Sequence, residues 1–354
     1  MHAASVKPVL IVSAAVVIGV IVGVFVLPTR SAAHAQRPAP EARLLTLLPA
    51  AIAGSQVTSA VMSPSGVLGM ATAAGRAFVQ PFPGRGAPQP GAGELVARGS
   101  IKTMTISADG STLAGVGANG VVWIWRRGSF PVFALPPPEG SGGLADTLAG
   151  IALEPHGRAL VLYNLANVDV YAPGQNAGSS TIPLAASYAL SGSNLPVSPV
   201  FAAGAPSVAL VTDSGRGIPV MQLGTGQVSY PLSDPYSGCF TCGAVEFSAD
   251  WTRAALDLSG YVALWDPRSG QQLGDWLVPQ RSSVAQFALS ANGNALALGT
   301  NSGSVYVFDL HADRPPALIR AGRGAVQSLA LSADGRLLLA SAAKGRAAVW
   351  SIRY

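Results

Sequence analysis

The only cysteines in the chain stand three positions apart, in Cys239-Phe240-Thr241-Cys242. In an oxidising compartment such a pair forms a local disulfide. Closing so short a loop contributes at most about 2 kcal/mol, so its main effect is to fix the loop's shape. A zinc site would need two further ligands, and the neighbouring sequence offers none. No histidine follows Cys242, which removes the haem-attachment pattern. The four histidines, His2, His34, His156 and His311, are scattered along the chain. Neither a Gly-x-Ser-x-Gly elbow nor a phosphate-cradling glycine loop is present. The sequence therefore predicts no catalytic residues, no bound metal and no cofactor.

The elements that would position these groups follow from composition and period. Of the 354 residues, 49% are hydrophobic and only 11% charged, with 41 Gly and 27 Pro spread as frequent breaks. That pattern favours many short strands over long helices. The net charge of +5 comes almost entirely from arginine, with Lys only at Lys7, Lys102 and Lys344. No basic run exists and few aromatics alternate with the arginines, which argues against nucleic acid as a partner.

A short signature recurs between apolar runs. Its copies begin at Ser63, Ser107, Glu154, Ser248, Ser290 and Ser332, at intervals of 44, 47, 94, 42 and 42 residues. The best copies read Ser-Ala-Asp-Gly. The double interval predicts a hidden copy near position 202, where Phe201-Ala202-Ala203-Gly204-Ala205 precedes the strand-like Val208-Ala209-Leu210-Val211. Seven units result. Asp, Asn or Ser followed by Gly suits a tight hairpin turn, so Asp109, Asn292 and Asp334 read as turn residues rather than acids or metal ligands. A second landmark is a turn glycine five residues before a large apolar residue: Gly120 to Trp125, Gly260 to Trp265, Gly303 to Phe308 and Gly345 to Trp350. These aromatics read as wedges between neighbouring repeats.

On these residues the chain resembles the WD-repeat family. Leu264-Trp265-Asp266 carries the Trp-Asp ending and Val307-Phe308-Asp309 is a near copy. The resemblance spans residues 43–354 and implies an all-β, seven-bladed β-propeller. The family's Gly-His pair is missing from every repeat. Its turn Asp is replaced by Asn119, Ser259, Ser302 and Lys344, so the usual buried hydrogen-bond tetrad is absent and the member is divergent. The last repeat supplies three strands, and the isolated run Ala42–Leu48 could complete it, removing an open sheet edge.

Residues 1–28 read as a membrane anchor or signal helix and residues 29–42 as a Pro/Ala-rich linker. The twenty uncharged residues 8–27 would rise about 30 Å as a helix, the thickness of a bilayer's hydrocarbon core. Retention as an anchor is favoured because signal-peptide cores run to about 7–15 residues. Cleavage after Ala35 is the alternative, since Ala33-His34-Ala35 has the small-x-small pattern. Arginines on one side and Lys7 on the other leave the topology to the export-like features, which place the repeat domain outside the cytoplasm in the periplasm. A cytoplasmic-facing arrangement is the further alternative.

Among the predicted innermost strands only Lys102 and Glu246 are charged, and Glu246 reads as a paired or rim residue. Arg98, Arg281 and Arg323 each stand nine residues before a signature, a register that in another repeat holds Cys239. The resemblance puts this position on the narrower, ligand-facing surface. The expectation is a membrane-tethered, non-catalytic scaffold, or a subunit of an envelope complex, that meets a protein partner through these arginines. The alternative is a periplasmic small-ligand-binding propeller or propeller enzyme using the central channel.

Overall fold

The computed structural model describes residues 38–47, 57–63, 65–72, 74–81, 94–99, 101–117, 121–127, 133–135, 148–164, 167–171, 184–189, 196–201, 207–212, 218–222, 225, 227–232, 245–258, 261–278, 282–344 and 347–354. The apolar segment 8–27, Cys239, Cys242 and Arg281 lie outside them. Among the described residues no helix is long and apolar enough to cross a membrane.

The described residues form 28 strands in seven four-stranded antiparallel sheets. In six sheets the strands follow chain order from the inner edge to the outer edge. The inner strands are Val57–Met62, Ile101–Ile106, Leu148–Leu153, Pro196–Phe201, Val245–Phe247, Val284–Leu289 and Arg323–Leu331. Each lies against the inner strands of the sheets before and after it, and that of the last sheet lies against that of the first. The sheets therefore radiate from a closed inner ring. An inner strand has a ladder on one side only, which is why Pro196-Val197-Ser198-Pro199 can serve as one.

The last sheet is built differently. Its outer strand, Glu41–Leu47, comes from the start of the described chain and pairs antiparallel with Ala348–Arg353. Ala42 stands opposite Ile352 and Leu44 opposite Trp350. This is the closure that the isolated apolar run predicts. The hidden repeat is also present: Pro196–Phe201 and Ser207–Thr212 pair across the degenerate signature.

The core lies between sheets. One apolar cluster joins the last two sheets and another joins the last sheet to the first. Because middle strands are covered on both faces, they read as continuous apolar runs rather than alternating ones. Val67–Thr72 and Ala295–Thr300 are buried at every position. This double coverage explains a hydrophobic content that would be high for a one-sided sheet. The predicted wedges fill these interfaces. Trp125, 1% exposed, packs with Val67 and Val79 of the preceding sheet, while Phe308 and Trp350 occupy the corresponding clusters of theirs.

Candidate functional site

The recurring tetrapeptide builds one end of the inner ring. In Ser332-Ala333-Asp334-Gly335 the Ser332 hydroxyl donates to Asp334 Oδ1 (2.7 Å), and the same oxygen accepts the Arg336 N–H (3.0 Å). The Leu337 N–H then donates to Ser332 Oγ (2.9 Å). Ser107/Asp109, Ser248/Asp250 and Ser290/Asn292 repeat the same bonds. Burial disfavours ionised Asp109, but hydrogen bonds from Ser107 and Ser111 outweigh it and hold its pKa below the ordinary value. In the third repeat Glu154 takes over the acceptor role of the Asp, receiving the His156 and Arg158 N–H groups (2.9 and 3.0 Å). Gly335 closes its turn at φ +72°, whereas Trp251 occupies the equivalent place at +55° and is buried against the fifth sheet's core. Asp334→Ala removes the shared acceptor and is expected to cost about 1–2 kcal/mol, read as a shift in the urea midpoint. Asp334→Asn keeps that oxygen and should lose less than half as much.

Successive turns are also stitched together. Ser65 N–H donates to Ala108 O (3.3 Å), Asp109 to Pro155 O (3.2 Å), Ala249 to Ala291 O (2.8 Å) and Asn292 to Ala333 O (3.0 Å). These bonds tie successive turns around the mouth of an axial pocket of about 350 Å³. All seven inner strands contribute to its wall, and the register of the repeat gives it layers. The residue just before each signature is large and apolar: Met62, Ile106, Leu153, Phe201, Phe247, Leu289 and Leu331. The second residue of the signature is small or proline, as in Ala108, Pro155, Ala249 and Ala291, and these form the rim. The layer two residues before the signature contains Thr105, Ala152, Ala288 and Ala330, but in the fifth sheet the residue is Glu246.

Among the described residues, Glu246 is the one ionisable group in the pocket wall. Its Oε2 accepts the N–H of Leu289 from the next inner strand (2.7 Å). That N–H lies on the strand edge facing the axis, and the carboxylate supplies a partner. Burial pushes the Glu246 pKa up to about 7, and the Leu289 bond offsets only part of the rise. Ser328 plays a related role at the seam between the last and first sheets, accepting the Ala60 N–H (3.1 Å). The sequence exposes Glu246 as a charge on an inner strand, but its bond to a residue 43 positions away appears only in the fold.

The arginines lie at the other end of the strands. Arg323 is exposed and opens the inner strand of the last sheet, where it stands opposite Lys344. That pairing makes Arg323 the first residue of the strand. Arg98 is the last residue of the first sheet's outer strand, opposite Arg76, rather than part of a free loop. By strand direction both occupy the end away from the signature turns. The structure thus brings neither arginine to the axial pocket.

Radial four-stranded sheets around a closed inner ring define a β-propeller. No family model matches the chain. The solved β-propeller domain of Cps50 (Swd1) from Myceliophteria thermophila has a TM-score of 0.61, covering 88% of this chain and 99% of that one at 12% identity. In sequence the chain is similar to the LST8 homolog proteins of Drosophila melanogaster, 27% identical over 92 residues, and of Drosophila pseudoobscura pseudoobscura, 31% identical over 101 residues. Each match covers 26% of this chain, which spans 29% and 31% of the respective relatives. The fold is therefore that of a β-propeller, and the likeness in sequence to the LST8 homolog proteins extends over about a quarter of the chain.

Proposed function

We propose that the chain is a non-catalytic interaction scaffold, a seven-bladed propeller held to a membrane through residues 8–27, with the propeller on the extracytoplasmic side. The observation that carries this reading is the separation of the two ends of the strands. The described chain enters the last sheet at Glu41, opposite Arg353 and next to the signature turns. Exposed Arg323 stands at the end of the strands away from that entry. Arginine suits such a surface because its planar fork pairs with carboxylates and stacks on aromatics. Arg98 and Arg281 share the register of Arg323, and a disulfide between Cys239 and Cys242 would shape the corresponding loop of the fifth repeat.

The test is recovery from native membranes of the full-length protein and of a triple variant, Arg98→Ala, Arg281→Ala and Arg323→Ala. Co-purifying proteins and the protein's own N-terminus are identified by mass spectrometry. The expected result is an intact N-terminus and a set of envelope partners whose recovery falls at least about tenfold in the triple variant, a loss of about 1.4 kcal/mol in binding. Equal recovery of partners would remove the arginine face, and a mature chain starting at Gln36 would remove the anchor.

A second reading, small-ligand binding in the central channel, is favoured by the axial pocket. A concave cavity whose lining side chains are mostly apolar around one carboxylate has the form of a ligand site.

A further inference from the structure

The wall of the axial pocket selects a chemical class of ligand, a step that rests on the small-ligand reading. Its side chains are apolar except for those of Thr105 and Glu246, the remaining polar surface being backbone of the inner-strand edges, and no other described lining residue carries an ionisable side chain. Among the described residues no arginine, lysine or histidine forms an ion pair with Glu246. One carboxylate cannot replace the six to eight oxygens of a calcium shell or the octahedral shell of magnesium, so a hard metal ion is a poor match. A ligand suited to this wall brings its own cationic donor and carries enough hydrocarbon to cover the Leu, Ile and Phe surface around it.

We infer that the axial pocket is a binding site for an alkylammonium group, with the nitrogen against Glu246 and the carbon chain against the apolar layer containing Phe201, Phe247 and Leu289. The Leu289 N–H fixes one carboxylate oxygen, which orients the group without neutralising it. The ammonium supplies the charge-assisted bond that the protein does not. Its alkyl part covers the apolar side chains that line the pocket. The rim of the site at the signature end is tied by backbone bonds between successive turns.

Binding couples to protonation. In the free protein the carboxyl titrates near 7 because burial disfavours its charge. A bound cation favours the ionised form, so binding releases protons and tightens as the pH rises.

Calorimetric titration of the full-length protein uses three probes: n-butylamine, 1-butanol as its neutral counterpart, and N-acetyl-lysine amide. The expected result is that butylammonium binds about tenfold more tightly at pH 8 than at pH 6, following the ionised fraction of Glu246. Glu246→Gln should weaken butylammonium at least about tenfold while changing 1-butanol less than about twofold, because only the cation uses the charge. If N-acetyl-lysine amide matches butylamine, the ammonium comes from the side chain of a partner protein; if butylamine alone binds, it comes from a free amine. Equal binding of butylamine and 1-butanol would overturn the ammonium assignment and leave the small-ligand reading standing. No binding by any of the three probes would overturn both.

Discussion

Replacing Glu246 with Gln raises the stability of the folded protein at pH 8 by up to about 3 kcal/mol and has no such effect near pH 4. The sign follows from where the proton resides. Folding lifts the Glu246 pKa from 4.5 to about 7. Below 4.5 the carboxyl is protonated in both states and costs the fold nothing. As the pH rises past 4.5 the unfolded chain releases its proton while the folded protein keeps it, so stability falls. Once the pH has passed 7 the buried group is ionised in the fold as well, and the loss is complete. Gln carries no charge at any of these pH values, and its amide oxygen can still accept the Leu289 N–H. The measurement is the difference in melting temperature between the two proteins as a function of pH. A difference that grows between about pH 4.5 and 7 and then levels is the expected curve. A flat difference would mean that water reaches the carboxylate freely, and it would remove the physical basis for an apolar site around it.

Gly303→Ala is expected to cost about 3 kcal/mol or more, although it adds only one methyl group. Gly303 has φ +85°, and a Cβ there would lie 2.3 Å from the carbonyl oxygen of Gly322 and 2.9 Å from that of Gly324. These are backbone atoms of the neighbouring segment, which cannot rotate away as a side chain can. The Ala321 N–H also donates to Gly303 O (2.9 Å), so the two segments are held together. Gly99→Ala is the control. Its φ is +120°, but a Cβ there would have nothing within 4 Å. It should therefore lose only the conformational part, about 1–2 kcal/mol. Urea midpoints of both variants, read with their slopes, separate the two contributions. A loss at Gly303 no larger than that at Gly99 would show that the neighbouring backbone yields. Because Gly322 and Gly324 flank Arg323, the same substitution also shifts the exposed arginine on the proposed partner face.

Most of what positions the sites was legible in the sequence because it rests on short-range bonding repeated at a fixed interval. The bonds from Ser107 to Asp109 and from Thr112 back to Ser107 span two and five residues, and equivalent groups recur in other repeats. A hairpin of that kind is specified by its own residues. The same holds for the wedge aromatics and for the leading strand, since an isolated apolar strand and a three-stranded final repeat each need a partner. The fourth repeat lost its signature but kept its interval, and the interval was enough to find it.

The axial pocket was not legible in this way. Each of its layers takes residues from several strands that lie about one repeat apart, and no local window contains two of them. In sequence Glu246 is a charge between Val245 and Phe247, with the same standing as Lys102. Its raised pKa depends on the apolar residues that the other inner strands bring around it, and on a hydrogen bond to a residue one repeat further on. The arginines show the complementary limit. Their shared register could be read from the sequence, but only strand direction shows that Arg323 lies at the end away from both the pocket and the point where the chain enters. The sequence by itself determined the repeat, its turns and its closure, because those depend on neighbours along the chain and on a constant spacing. Which carboxylate is desolvated and what faces it were decided by the tertiary structure, because desolvation depends on atoms that only the closed ring brings together.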